Sequence, residues 1–177
     1  MKKISSVLRT LAASAGLLAV AACVANISFD ITKDAAVDAP GTSLATTIPV
    51  DLSQSKEIQD HKSNVQGLSF DSMDLTVTAV GATNHATSVD GTISLRAAGA
   101  PADGSQDVLV VNISGLAIAQ GAHLHVQGTP QLDQFLLSQL QGAGQFSAVV
   151  SGTTTGGATH ATINLTLHAS LAYGVGL

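Results

Sequence analysis

"THATINLTLHASLAY" (159–173) decides the fold class. Ile163, Leu165, Leu167, Ala169, Leu171 and Tyr173 share one parity, and Thr162, Asn164, Thr166, His168 and Ser170 share the other. Successive side chains of a strand point to opposite faces, so this pattern predicts a long strand with one buried and one wet face. Just before it, "GQFSAVVSGT" (144–153) alternates through Phe146, Ala148 and Val150, and "TTGGA" (154–158) reads as the turn of a hairpin.

The same period recurs toward the N-terminus. Ile27, Phe29 and Ile31 alternate with Ser28, Asp30 and Thr32, followed by an expected loop, "KDAAVDAPGTS" (33–43). "LATTIPVDL" (44–52) reads as extended, and Pro49 points to an edge strand because it lacks a backbone donor. "LSFDSMDLTVTAV" (68–80) changes parity between Phe70 and Met73, which predicts a bulge near Ser72. "GTISLRA" (91–97) and "AHLHVQG" (122–128) alternate too, whereas the unbroken apolar run Val108–Val111 suits a strand covered on both faces.

Two segments depart from this period. "SQSKEIQDHKS" (53–63) is polar around the lone apolar Ile58, as in one or two turns of surface helix. In "GTPQLDQFLLSQLQGAG" (128–144), Thr129 fits an N-cap and Pro130 the first helical position. Leu132, Phe135, Leu136 and Leu140 line one face, and Gly142 falls where a left-handed C-terminal residue is expected. The expectation is an all-β, two-sheet antiparallel β-sandwich of about eight strands with one amphipathic helix over about 130–141.

The first two dozen residues read differently. Lys2, Lys3 and Arg9 precede the uncharged "LAASAGLLAVAA" (11–22), shorter than the roughly 20 apolar residues a spanning helix needs. A basic start, a short apolar core and small residues before a break form a secretory signal. Beyond residue 22 only Lys33, Lys56, Lys62 and Arg96 are basic, against twelve acidic residues, a formal balance of −8. Such a body lacks the basic face that nucleic acid or a polybasic grip on anionic lipid requires.

"Leu-Ala-Val-Ala-Ala-Cys" (18–23) contains the chain's one cysteine. The run resembles the lipobox of bacterial lipoproteins, with Val20, Ala21 and Ala22 at the three positions before Cys23. The resemblance covers residues 1–23 and does not extend to the fold. It implies a cleaved signal (1–22), a lipidated N-terminus (23–26) and a folded body (27–177). Cys23 would carry a thioether-linked diacylglycerol, and its freed amino group could take a further chain. Each buried methylene contributes about 0.8 kcal/mol, so two or three chains hold where one is marginal. Val24 rather than Asp follows the cysteine, which by the sorting habit of enteric bacteria implies the outer membrane.

Six histidines, His61, His85, His123, His125, His160 and His168, invite a metal reading. His123 and His125 are two apart in a predicted strand and share a face. His168 or His160 would supply a third ligand for zinc if the last strand lies alongside. Asp103 and Asp107 sit in a loop able to bind calcium weakly, without the spacing of an EF-hand. No G-x-S-x-G, HExxH or phosphate loop is present. The Asn-x-Ser/Thr sequences at Asn26, Asn112 and Asn164 read as polar strand positions.

Three functions fit this reading. The first is a membrane-anchored, non-enzymatic envelope lipoprotein whose sandwich meets an envelope protein, glycan or lipid. The second is an envelope metal-binding protein or metalloenzyme using His123, His125 and His168. The third is a surface assembly subunit.

Overall fold

In a computed structural model, residues 23–175 are described; residues 1–22, the expected signal, lie outside them. Eight strands form: β1 (Cys23–Ala39), β2 (Ser43–Asp51), β3 (Val65–Val80), β4 (Ser88–Ala97), β5 (Val108–Ala117), β6 (His123–Gln127), β7 (Gln145–Thr155) and β8 (Thr159–Val175). The two α-helices are α1 (Lys56–His61) and α2 (Pro130–Gln141).

The strands pair in nested antiparallel couples: β4 with β5, β3 with β6, β2 with β7 and β1 with β8. Alternate couples fall in alternate sheets, giving the orders β1-β8-β3-β6 and β2-β7-β4-β5. The chain is thus one long hairpin, bent at the loop between β4 and β5 and rolled on itself. That is the eight-stranded jelly roll, an all-β sandwich.

The expected alternation builds the core. From β8, Ile163, Leu165, Leu167, Ala169 and Leu171 are all buried, facing Ile48, Ile93, Leu95 and Ala148 of the second sheet in one apolar cluster. The parity change in β3 is a register shift between Phe70 and Ser72, as the sequence predicts. Pro49 does lie on an edge strand, β2.

Sheet one is longer than sheet two, with 17 residues in β1 and β8 against 9 in β2 and 11 in β7. The helical segments cover what sheet two does not reach. Helix α2 packs mainly on β3 through Leu132, Phe135, Leu136 and Leu140. Its start is fixed by the Thr129 side chain, which accepts from the Leu132 N–H, and by Asp133, which accepts the Phe70 N–H at 2.7 Å. Before it, Gly128 lies so close to the Phe70 carbonyl that a Cβ would overlap that oxygen. Ile58, the single apolar residue of its segment, is 1% exposed and inserts α1 into the core.

Four expectations are corrected. The stretch 33–43 is no loop, since β1 continues to Ala39 and only 40–42 turn. Residues 23–26 are the first rungs of β1 rather than a segment ahead of the body. The apolar run Val108–Val111 lies on an edge strand, β5, where Leu109 stays 49% exposed. Gly142 is not left-handed (φ −94°): its N–H closes the helix onto Ser138 and Gln139, and the left-handed residue is Gly144 (φ +72°).

Candidate functional site: a histidine–carboxylate cluster on the outer sheet

The outward parity of β1, β8, β3 and β6 forms a polar face. The β1–β8 register sets Asp30 opposite His168, Thr32 opposite Thr166, Asp34 opposite Asn164 and Asp38 opposite His160. Each of these pairs is hydrogen-bonded: 2.7 Å for Asp30–His168, 3.2 Å for Thr32–Thr166, 2.8 Å for Asn164–Asp34 and 3.0 Å for His160–Asp38. Ser170 donates to Asp71, extending the row onto β3.

At the centre stands Asp74 of β3, opposite His125 of β6. One carboxylate oxygen accepts from His123 Nε2 at 2.8 Å and from His125 Nδ1 at 2.7 Å. The other accepts from His168 Nε2 at 3.0 Å. The three histidines singled out in the sequence therefore meet, and Asp74 is what they meet on. His125 Nε2 accepts from the Gln127 amide at 2.6 Å, which suits the neutral ring with its hydrogen on Nδ1.

His168 differs from its neighbours because both ring nitrogens face carboxylates. Ionised carboxylates only accept, and a neutral imidazole has one N–H to give, so both bonds are donated only by the imidazolium. The Asp30 hydrogen bond, aided by that to Asp74, outweighs burial and raises His168 above its ordinary 6.5. Burial pushes Asp74 upward, but the bonds from His125, His123 and His168 prevail and hold it below its ordinary 3.8. The unit is an Asp30–imidazolium–Asp74 bridge with two further imidazoles on the same hub.

The remaining histidines lie elsewhere. His61 stacks on Tyr173 at 3.8 Å between ring centroids, and His85 is exposed in the loop after β3. His160, the other candidate third ligand, is held by Asp38 and does not join. Among the described residues, no group of three or more His, Cys, Asp or Glu has the arrangement of a metal-holding set, and each of the three imidazoles gives one ring nitrogen to Asp74. In the β4–β5 loop, Asp107 forms a two-pronged ion pair with Arg96 (2.8 and 2.7 Å), and Asp103 accepts from the Ser105 N–H. Those contacts make the loop a closed turn, with its carboxylates already partnered.

The cluster lies on an open sheet face rather than in a cleft. Between the sheets is an apolar cavity of about 40 Å³, bordered by Val37, Leu44, Leu75, Val89 and Thr159. That is room for a few water-sized molecules, far from the several hundred Å³ of a small-molecule site. The Thr159 hydroxyl there has no hydrogen-bond partner. A larger open depression, about 360 Å³, lies by Lys33, Asp51, Gln54 and Gln145, whose polar groups bond one another.

The architecture places the chain in the class of jelly-roll β-sandwiches. No protein-family model matches it, and no curated protein matches its sequence. Among solved structures it is similar to the decameric BFDV capsid protein, with 8% identity, a TM-score of 0.44, and coverage of 84% of this chain and 99% of that one. It is also similar to structures of Desmodium yellow mottle tymovirus (9% identity, TM-score 0.39, 100% and 97% covered) and turnip yellow mosaic virus (10%, 0.35, 100% and 92%). Likenesses this weak carry nothing about function.

Proposed function

We propose that this chain is a lipid-anchored protein of the bacterial cell envelope, whose jelly-roll body has a non-enzymatic binding or structural role. The observation that carries the reading is the lipobox-like run ending at Cys23. It is joined by the packing of two sheets and two helices among the described residues, 23–175. Cleavage before Cys23 would leave all eight described strands and both described helices in place. The lipid on Cys23 would hold the body at a membrane leaflet, and Val24 after it favours the outer membrane. The exposed histidine–carboxylate face is the surface offered to a polar partner.

A binding role suits the placement of the polar groups. An active site normally sets its polar groups in a concave, partly dry pocket. Here they lie across an open sheet and are satisfied by one another. The assembly-subunit reading finds less support at three of the four sheet edges, and only β1, 17 residues long, is an extended regular edge. β6 has only five residues, β2 carries Pro49, and β5 is interrupted by two register shifts against β4. These features discourage strand addition at β6, β2 and β5.

The test is Cys23→Ala together with labelled fatty acid. The native protein is expected in the membrane fraction carrying label, and the variant unlabelled and soluble. An unlabelled native protein that is already soluble would end the reading.

A further inference from the structure

The register places Cys23 opposite Val175, at the first rung of the β1–β8 ladder. A flexible linker of n residues lets a body stand off by roughly 5–6 Å × √n. Between Cys23 and the sheet, n is zero. The end of the sandwich that carries Cys23 would thus lie at the lipid itself.

That end has a distinctive surface. Tyr173 pairs with both Ala25 and Val65, so the starts of β1 and β3 and the end of β8 lie side by side. Among the described residues four large hydrophobic side chains are exposed. Two of them flank this corner: Val24 at 51% and Val175 at 46%. The three strand-end segments forming it, 23–29, 62–70 and 171–175, contain no Asp or Glu and one basic residue, Lys62; helix α1, whose His61 stacks on Tyr173, brings Glu57 and Asp60 beside them, Asp60 being paired with Lys56. On the β1 side the first carboxylate is Asp30, seven residues up the strand and so about 23 Å away. A leaflet with anionic lipid repels carboxylates and accepts apolar and basic groups. The strand ends nearest the lipid are free of carboxylates, and Lys56 and Lys62 balance the two that α1 brings beside them.

We propose that the β1–β8–β3 corner, with Val24, Lys62 and Val175, is a membrane-seating surface that rests on phospholipid headgroups. This holds the sandwich upright, with its 40–42, 81–87, 118–122 and 156–158 loops pointing away. The proposal rests on lipid attachment at Cys23. β1 has 17 residues, which puts the far loops on the order of 50 Å from the bilayer.

The experiment uses the full acylated protein in vesicles of phosphatidylethanolamine with a minority of phosphatidylglycerol. With the Cys23 sulfur in a thioether, Gln66→Cys and Gly41→Cys each give one free thiol for a fluorophore. Gln66 is exposed at the seating corner, and Gly41 lies in the far turn, where an added Cβ meets nothing within 4 Å. Nitroxide-headgroup lipid is expected to quench the Gln66 label severalfold more than the Gly41 label. Val24→Ser with Val175→Ser should narrow that difference while the protein stays bound. Equal quenching at both positions, with diacylglycerol confirmed on Cys23 by mass, overturns the seating surface and leaves the anchor standing. Absence of lipid on Cys23 overturns both.

Discussion

Replacing Asp74 by Asn removes the charge that three imidazoles share while keeping the side chain's shape. Asp74 is 27% exposed and His168 34%, so solvent screens these contacts and the scale for exposed pairs applies. At about 0.2–1 kcal/mol per contact, the three together give a loss of about 1–2 kcal/mol. The pH dependence is more telling than the size. His168 is raised from 6.5, so its contribution is full below 6.5 and fades as pH rises through the raised value. Asp74 is lowered from 3.8, so its contribution is present above 3.8 and fades as pH falls through the lowered value. Asp74→Asn should therefore cost most between 3.8 and 6.5, and clearly less once His168 has lost its proton. The groups that face His168 are Asp30 from β1 and Asp74 from β3, with His123 and His125 of β6 reaching it only through Asp74. Urea unfolding of both proteins in that window and at high pH measures the difference. An NMR titration of the His168 ring should show its pKa move down toward 6.5 in Asp74→Asn and also in Asp30→Asn. A cost equal at both pH values, or an unmoved His168 titration, would refute the imidazolium bridge.

Three further outcomes test the fold around the site. Leu165→Ala, at a position with 0% exposure between the sheets, should cost about 2–5 kcal/mol in urea or thermal unfolding. Gly128→Ala drives a Cβ into the Phe70 carbonyl and should cost at least about 1–3 kcal/mol, with the largest chemical-shift changes at the β3–α2 contact. Asp133→Ala leaves the Phe70 N–H without its acceptor; a loss of about 1–3 kcal/mol is expected, with faster hydrogen exchange at that amide than elsewhere in β3.

The elements were legible in the sequence because each announces itself locally. The β8 alternation, the Thr129–Pro130 helix start and the bulge beside Ser72 depend on neighbours a few residues away. What was not legible was whatever depends on a distant partner. Val108–Val111 looks doubly covered because apolarity says nothing of strand order, and only the β2-β7-β4-β5 sequence of strands makes β5 an edge. The continuation of β1 past Lys33 is imposed by its ladder with β8, which outweighs the turn-like "DAPG" until Ala39. The site shows the same division. His123 and His125 share a face by parity alone, and His168 required the last strand to lie near. Asp74 and Asp30 gave no signal of their own. Each is one polar residue among many, and becomes a hub only when β3 lies between β6 and β8 and β1 lies beyond β8.

The nested pairing also orders events in time. β1 pairs along its whole length with β8, so Cys23 finds its partner only when Val175, 152 positions later in sequence, is available. Pairings this distant in sequence form slowly, because the intervening loop must close before contacts compensate for its entropy. A chain emerging N-terminus first holds β1 without its partner until β8 appears. The couple formed by β4 and β5 is the first that can close, and β1 and β8 are the last. The jelly roll therefore delays its own completion, and the segment that begins at Cys23 stays open to other handling until β8 has been made.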